Sequence, residues 1–210
     1  MDPTVTHTSI KNVSFGTNVR VVEPCNLYDC KIGDDCFIGP FVEIQKGVSI
    51  GASSKIQSPA FICELVTIGE SCFISHGVMF VNDLFRDGGP ARGDSSKWGE
   101  TSIGRNVSIG TNATVLPVNI CDHVVIGAGS VVTKDITKPG VYCGNPAQFL
   151  RRIRGGSQVY SEEVNCSELR FCSVLGEDDE DSDRPFVVSF SRYSGDKLVC
   201  LLYTSDAADE

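Results

Sequence analysis

From Ile32 to Phe80 a bulky apolar residue returns at every sixth position: Ile32, Ile38, Ile44, Ile50, Ile56, Ile62, Ile68, Ile74 and Phe80. A helix repeats its buried face about every 3.6 residues and a half-buried strand every two. A strict period of six belongs to a coil of three flat sides, each pointing one large residue at the axis. That is the pattern of a parallel β-helix. Four residues after each anchor stands a small or β-branched residue: Cys36, Val42, Val48, Ser54, Ala60, Val66, Cys72 and Val78. These suit the narrow space beside the anchor column, where anything larger overpacks. Corner triplets such as Gly33-Asp34-Asp35, Gly51-Ala52-Ser53, Gly69-Glu70-Ser71 and Gly104-Arg105-Asn106 lie between the inward positions. Gly, Asn and Asp tolerate the positive φ angles of sharp corners.

The period resumes at Ile103, Ile109 and Val115, then at Ile120, Ile126 and Val132. The step from Val115 to Ile120 is one residue short, which predicts a tightened corner. Three hexads make one coil, so the chain should hold about five regular coils and ragged ones from Ile10 to Leu27. No coil buries its own face, so each relies on its neighbours. Pro139-Gly140 breaks the repeat, and residues 148–153 read as a short amphipathic helix capping the end. The expected fold is all-β: a parallel β-helix over residues 1–154, with an inserted loop at about 82–100 and a short C-terminal helix.

Charge divides the chain. Residues 1–154 carry 14 acidic and 14 basic side chains, whereas residues 155–210 carry 13 acidic and 4 basic ones. The net charge of −9 therefore belongs to the tail and says nothing about ligands of the repeat. The run Glu177-Asp178-Asp179-Glu180-Asp181 reads as solvated, disordered chain. Residues 200–210 resemble the translation of a sequencing-adapter end, so the tail is expected to be artefactual or truncated.

Ten cysteines do not imply disulfides here. The N-terminus lacks the apolar segment of a secretory signal, and Cys30, Cys36 and Cys72 fall at small inward positions where a thiol acts as a small hydrophobe. No paired C-x-x-C set suggests zinc, and no apolar stretch is long enough to span a membrane. A reduced, cytoplasmic protein without a metal, nucleic-acid or membrane partner is expected.

Residues 62–83, 107–117 and 126–135, together with Gly144-Asn145-Pro146-Ala147, resemble the hexapeptide-repeat acyltransferases. Within them the chain looks most like the N-acetyltransferases acting on the 3-amino group of nucleotide-linked deoxyamino sugars. The resemblance implies a left-handed β-helix, a homotrimer, and acetyl-CoA as co-substrate. It also implies a dTDP- or UDP-linked amino sugar as acceptor, destined for cell-surface polysaccharide or O-antigen synthesis.

An amine attacking a thioester needs alignment, a polarised carbonyl and a base within hydrogen-bond reach. Of three histidines, His76 sits at a corner just before the repeat breaks, and by resemblance it matches a family His taken as the base or proton relay. His123 also sits at a corner and reads as structural; His7 lies in the ragged start. Asn82 opens the loop and matches a family amide that orients the sugar amine, with Asp83 beside it holding a proton or the ammonium form. The loop adds about 17 residues to the repeat, and such insertions often bind ligands. Its only Trp in the chain, Trp98, with Arg86, Arg92 and Lys97, would meet a base and a diphosphate. For the acyl donor, Gly110 and the small corner Gly127-Ala128-Gly129 allow a backbone N–H to approach the thioester carbonyl. Lys134, Lys138, Arg151 and Arg152 would hold the phosphates of CoA.

Three other readings stand beside this one. The same prism serves O-acetyltransferases acting on a sugar hydroxyl or another small acceptor. A metal-dependent carbonic anhydrase of this architecture needs a close His pair that the sequence lacks. A non-catalytic assembly protein would have no use for the insertion or the basic C-terminal residues.

Overall fold

The computed structural model describes residues 10–153 and, beyond them, the strand segments Ser173–Val174, Val187–Ser191 and Lys197–Leu201. Residues 10–153 wind into a left-handed solenoid whose three faces are sheets of seven, six and eight strands, all parallel except the last strand of the eight-stranded face. Most strands are only two residues long, for example Glu43–Ile44, Ser49–Ile50 and Lys55–Ile56. The second residue of each points inward. Anchors stack directly: Ile44 on Ile62, Ile50 on Ile68, Ile56 on Ile74, Ile109 on Ile126. All nine anchors from Ile32 to Phe80 are buried, as are Cys36, Val42, Val48, Ser54, Ala60, Val66, Cys72 and Val78. Burying each Ile side chain contributes about 1.5–3 kcal/mol, which no single coil could gain alone.

The corners separate two demands. The third residue takes the left-handed conformation, with φ of 55° at Asp35, 59° at Ser53, 55° at Ser71 and 55° at Asn106. The glycine in first position serves stacking: a Cβ on Gly51 would lie 2.5 Å from the carbonyl carbon of Gly69 on the next coil. So the positive φ falls on Asp, Ser and Asn, while the leading glycine gives way to a neighbouring backbone. The small inward positions also carry donors. Cys36 Sγ reaches the carbonyl of Gly51 at 3.2 Å, Ser54 Oγ that of Gly69 at 3.1 Å and Cys72 Sγ that of Gly104 at 3.1 Å.

The shortened step is confirmed. Ile103 pairs with Ile120 and Val115 with Val132, which leaves only Leu116 and Pro117 to turn the corner ahead of buried Val118. The expected C-terminal helix is corrected to a strand. Gln148–Arg151 folds back antiparallel on Gly140–Cys143 and closes the end of the eight-stranded face. Four residues cannot repay helix nucleation, whereas the open strand edge offers unpaired backbone groups. Leu150 is buried against Val141 and Cys143, and the Tyr142 and Phe149 rings meet edge-on at 5.5 Å. The sole helix among the described residues is a single 3-10 turn, Ser95–Lys97, inside the loop.

Ser173–Val174, Val187–Ser191 and Lys197–Leu201 form a small antiparallel sheet, which tail composition did not predict. The acidic run 177–181 and most of 200–210 lie outside the described residues.

Candidate active site

The strand register sorts the site residues onto the three edges of the prism. Following the eight-stranded face comes an edge on which Ser75-His76-Gly77, Gly110-Thr111-Asn112 and Gly127-Ala128-Gly129 stack on successive coils. His76 and the four residues expected to face the acyl donor therefore share one edge. The seven-stranded face then leads to a second edge, where Glu64, Asn82 and the whole insertion lie. Lys134 stands there too, one coil above Pro117. On the third edge lie His123, Arg105 and Lys138, with Arg151 opposite Val141 nearby. The four basic residues thus share the last coil but not one edge.

His76 is exposed, and its Nδ1 meets the backbone carbonyl of Ser58 one coil below. A carbonyl only accepts, so Nδ1 carries the proton, and Nε2 is the nitrogen left without a protein partner among the described residues. This is the tautomer a base requires. Ser58 went unnoticed in the sequence, although its place one coil before His76 follows from the period.

The glycines of the same edge divide by cause. A Cβ on Gly110 would lie 2.5 Å from the backbone nitrogen of Ala128, and one on Gly127 would lie 2.9 Å from Cys143 Cβ. Stacking alone requires both. Gly129, with φ of 67°, faces open space.

The loop is closed at its neck. Gly99 donates from its N–H to the Asn82 carbonyl at 2.8 Å, and Asn82 Nδ2 donates to the Glu64 carbonyl at 3.3 Å. That orients the amide and leaves Oδ1 as an acceptor with no protein donor among the described residues. Asp83 uses both carboxylate oxygens within the loop, accepting from Phe85 N at 2.9 Å and Ala91 N at 2.7 Å. These N–H groups, helped slightly by Lys97, hold its carboxyl below the usual carboxylate range. In this geometry both Asp83 oxygens tie the loop to itself, and the carboxyl is ionised near neutral pH.

Arg86, Trp98 and Lys97 line a cavity of about 250 Å³ inside the loop, together with Asp83, Asp87 and Ser96. Lys97 is committed to Asp87 at 2.7 Å, which sequence reasoning missed. Arg92 is exposed outside that cavity. His76 and Asn82 flank opposite ends of the strand Met79–Phe80, separated by up to about 20 Å of extended chain. Within one chain they stand on two different edges of the prism.

The backbone of His123 is tied to the neighbouring coils: its N–H donates to the Arg105 carbonyl at 2.9 Å and its carbonyl accepts from Gly140 at 3.2 Å. Beside it Arg105 pairs with Asp122 at 2.9 Å. Cys30 and Cys63 are buried, and desolvation pushes their thiols up to about 11 and about 12. Neither is a thiolate near neutral pH. Among the described residues no helix is long and apolar enough to cross a membrane.

Two family patterns match the chain: the hexapeptide repeat of succinyl-transferase over residues 100–134 and the bacterial transferase hexapeptide over residues 29–64. The bifunctional protein GlmU of Synechococcus sp. (strain CC9605) is 29% identical over 149 residues, covering 70% of this chain and 30% of GlmU. The bifunctional protein GlmU of Thermotoga petrophila is 30% identical over 153 residues, covering 69% and 34%. The chain thus spans about a third of the length of these relatives. A hexapeptide transferase family protein of Anaplasma phagocytophilum superposes with a TM-score of 0.54 at 20% identity, over 67% of this chain and 79% of that one. The six-residue period, the three faces of stacked strands and both repeat patterns agree: the chain is a left-handed β-helix carrying the repeats of the bacterial hexapeptide transferases.

Proposed function

We propose that the protein transfers an acetyl group from acetyl-CoA to the amino group of a nucleotide-linked amino-deoxysugar. The observation that carries this reading is the His76 tautomer: Nδ1 is spent on the Ser58 carbonyl, so Nε2 faces the open edge as a proton acceptor. The small corners above it leave room for a thioester to approach the backbone. Asn82 Oδ1 suits an amine N–H, and Arg86 and Trp98 suit the phosphates and base of a nucleotide. The acceptor nitrogen attacks the thioester carbon, forming the C–N bond. His76 takes a proton from that nitrogen, the C–S bond breaks, and the thiolate recovers the proton. An amide and the free thiol of CoA result.

His76 and Asn82 lie on different edges, so a single amine can touch both only where edges of two copies meet. A homotrimer, with an acceptor site between adjacent subunits, completes the site. Lys138, Arg151 and Arg152 are proposed to hold the CoA phosphates from the last coil, with Lys134 contributing from the loop edge. A sugar hydroxyl fits the same His76 and Asn82 acceptors, which keeps O-acetylation as the second reading.

Thiol release from acetyl-CoA across dTDP- and UDP-linked 3-amino and 4-amino sugars, beside their hydroxyl counterparts, tests the proposal. Turnover with an amino sugar, cut at least about tenfold by His76→Ala, supports it. Turnover only with sugars lacking an amine would favour O-acetylation, and none with any acceptor would defeat both readings.

A further inference from the structure

We propose that the side-chain hydroxyl of Thr111 donates a hydrogen bond to the carbonyl oxygen of the bound thioester, its direction set by buried Ser75. The inference rests on the acyl-transfer reading above and adds a reacting group to it. Thr111 holds the middle position of its corner, as His76 does one coil below, and neighbouring coils lie about 4.8 Å apart. The N–H of Asn112 donates to the His76 carbonyl at 2.8 Å, tying the two corners together.

Ser75 Oγ and Thr111 Oγ1 lie 2.9 Å apart, and either atom could be the donor. Burial decides between them. Ser75 is 3% exposed, and Thr111 Oγ1 is the one partner its hydroxyl has among the described residues. A buried O–H that donates to nothing carries the full desolvation penalty. Thr111 is half-exposed and can donate elsewhere. Ser75 therefore donates to Thr111, and the Thr111 proton is left to turn outward over the His76 edge.

The donors at the small inward positions behave differently from Ser75, which stands at a corner. Cys36, Ser54 and Cys72 each spend their hydrogen on a backbone carbonyl of the next coil. Among the described residues Ser75 and Thr111 form the only hydroxyl–hydroxyl pair, and it falls at the corner that carries the exposed histidine. Packing two coils together needs no hydroxyl on the exposed member; a donor aimed at a ligand does.

As the acceptor nitrogen bonds to the carbonyl carbon, the carbonyl π pair moves onto oxygen, where the Thr111 O–H stabilises it. When the carbonyl re-forms and the C–S bond breaks, that pair returns. The thiolate takes the proton His76 removed from nitrogen, and Thr111 keeps its own throughout. Thr111 touches the reacting atoms; Ser75 is a positioning residue acting through it.

The test uses the full chain and its Thr111→Val, Thr111→Ser and Ser75→Ala variants. Thiol release is measured at varied acetyl-CoA with the best amino-sugar acceptor, beside thermal unfolding of each variant. Thr111→Val should lower kcat about tenfold to a hundredfold while KM for acetyl-CoA stays within about twofold. Thr111→Ser should recover most of kcat, and Ser75→Ala should fall between. Wild-type kcat in Thr111→Val overturns the proposal and leaves the acyltransferase reading intact. Should Thr111→Val unfold, Thr111→Ala beside Thr111→Ser decides, equal kcat overturning the proposal. No turnover by the wild type overturns both.

Discussion

The imidazole of His76 rests on the backbone carbonyl of Ser58, one coil below it on the same edge. Because the solenoid sets that carbonyl, no second side chain is needed to fix the tautomer. Replacing His76 removes the outward acceptor without touching the core. His76→Ala should lower kcat about a hundredfold or more and leave Tm within a degree or two, by steady-state kinetics and thermal unfolding. A large fall in Tm would show that the contact is chiefly structural.

Asn82 gives its Nδ2 to Glu64 and keeps Oδ1 outward. Asn82→Ala should raise KM for the amino-sugar acceptor about tenfold, with KM for acetyl-CoA unchanged. An equal rise in both would place Asn82 in loop folding instead.

His76 and Asn82 stand on different edges of one chain, so their loss should be complementary between chains. Mixing unfolded His76→Ala and Asn82→Ala proteins and refolding them together should, at acceptor concentrations well below KM, give more activity than either parent alone. Sedimentation of the wild type should give three copies. Activity no higher than the two parents would place both residues in one subunit's site.

Asp83 has its folded pKa lowered by the N–H groups of Ala91 and Phe85. A depressed carboxyl favours the ordered loop above its unfolded pKa, near 3.8, and that contribution is lost as pH falls through the lower folded value. Loop protection should therefore hold from neutral pH down to the unfolded value and weaken progressively as pH falls from there through the lower folded value. Asp83→Ala should open residues 84–98 to limited proteolysis at neutral pH while the solenoid stays resistant. Equal protection in both proteins would contradict the clamp.

The buried thiols of Cys30 and Cys63, pushed up to about 11 and about 12, should stay unalkylated by iodoacetamide at pH 8 until the solenoid unfolds. Peptide mass mapping with and without denaturant reads this directly. Rapid native labelling of Cys63 would contradict its placement in the core.

The period-six anchors made the solenoid legible from sequence alone, because one large residue per side leaves no other register for Ile32 to Phe80. The same period places His76 at an exposed corner and predicts the tight turn at Leu116-Pro117. Contacts between coils were less visible. Ser58 beneath His76 and Thr111 above it are about a coil away in space but 18 and 35 residues away in sequence. The insertion hides the second spacing. Asp83 read as a substrate group because an acid beside a family amide suggests chemistry, while its N–H donors, Phe85 and Ala91, announce themselves in no motif. The segment 148–153 read as a helix on its apolar spacing, and the open strand edge at Gly140–Cys143 decided otherwise.

The most direct measurement is the mass of the product formed from trideuteroacetyl-CoA and a nucleotide-linked amino sugar. The account predicts one labelled acetyl group on the sugar, stable to hydroxylamine as an amide is, and at least about tenfold less of it with His76→Ala. A hydroxylamine-labile acetyl group would move the chemistry to oxygen. No acetylated product from any amino sugar at saturating acetyl-CoA would contradict the account.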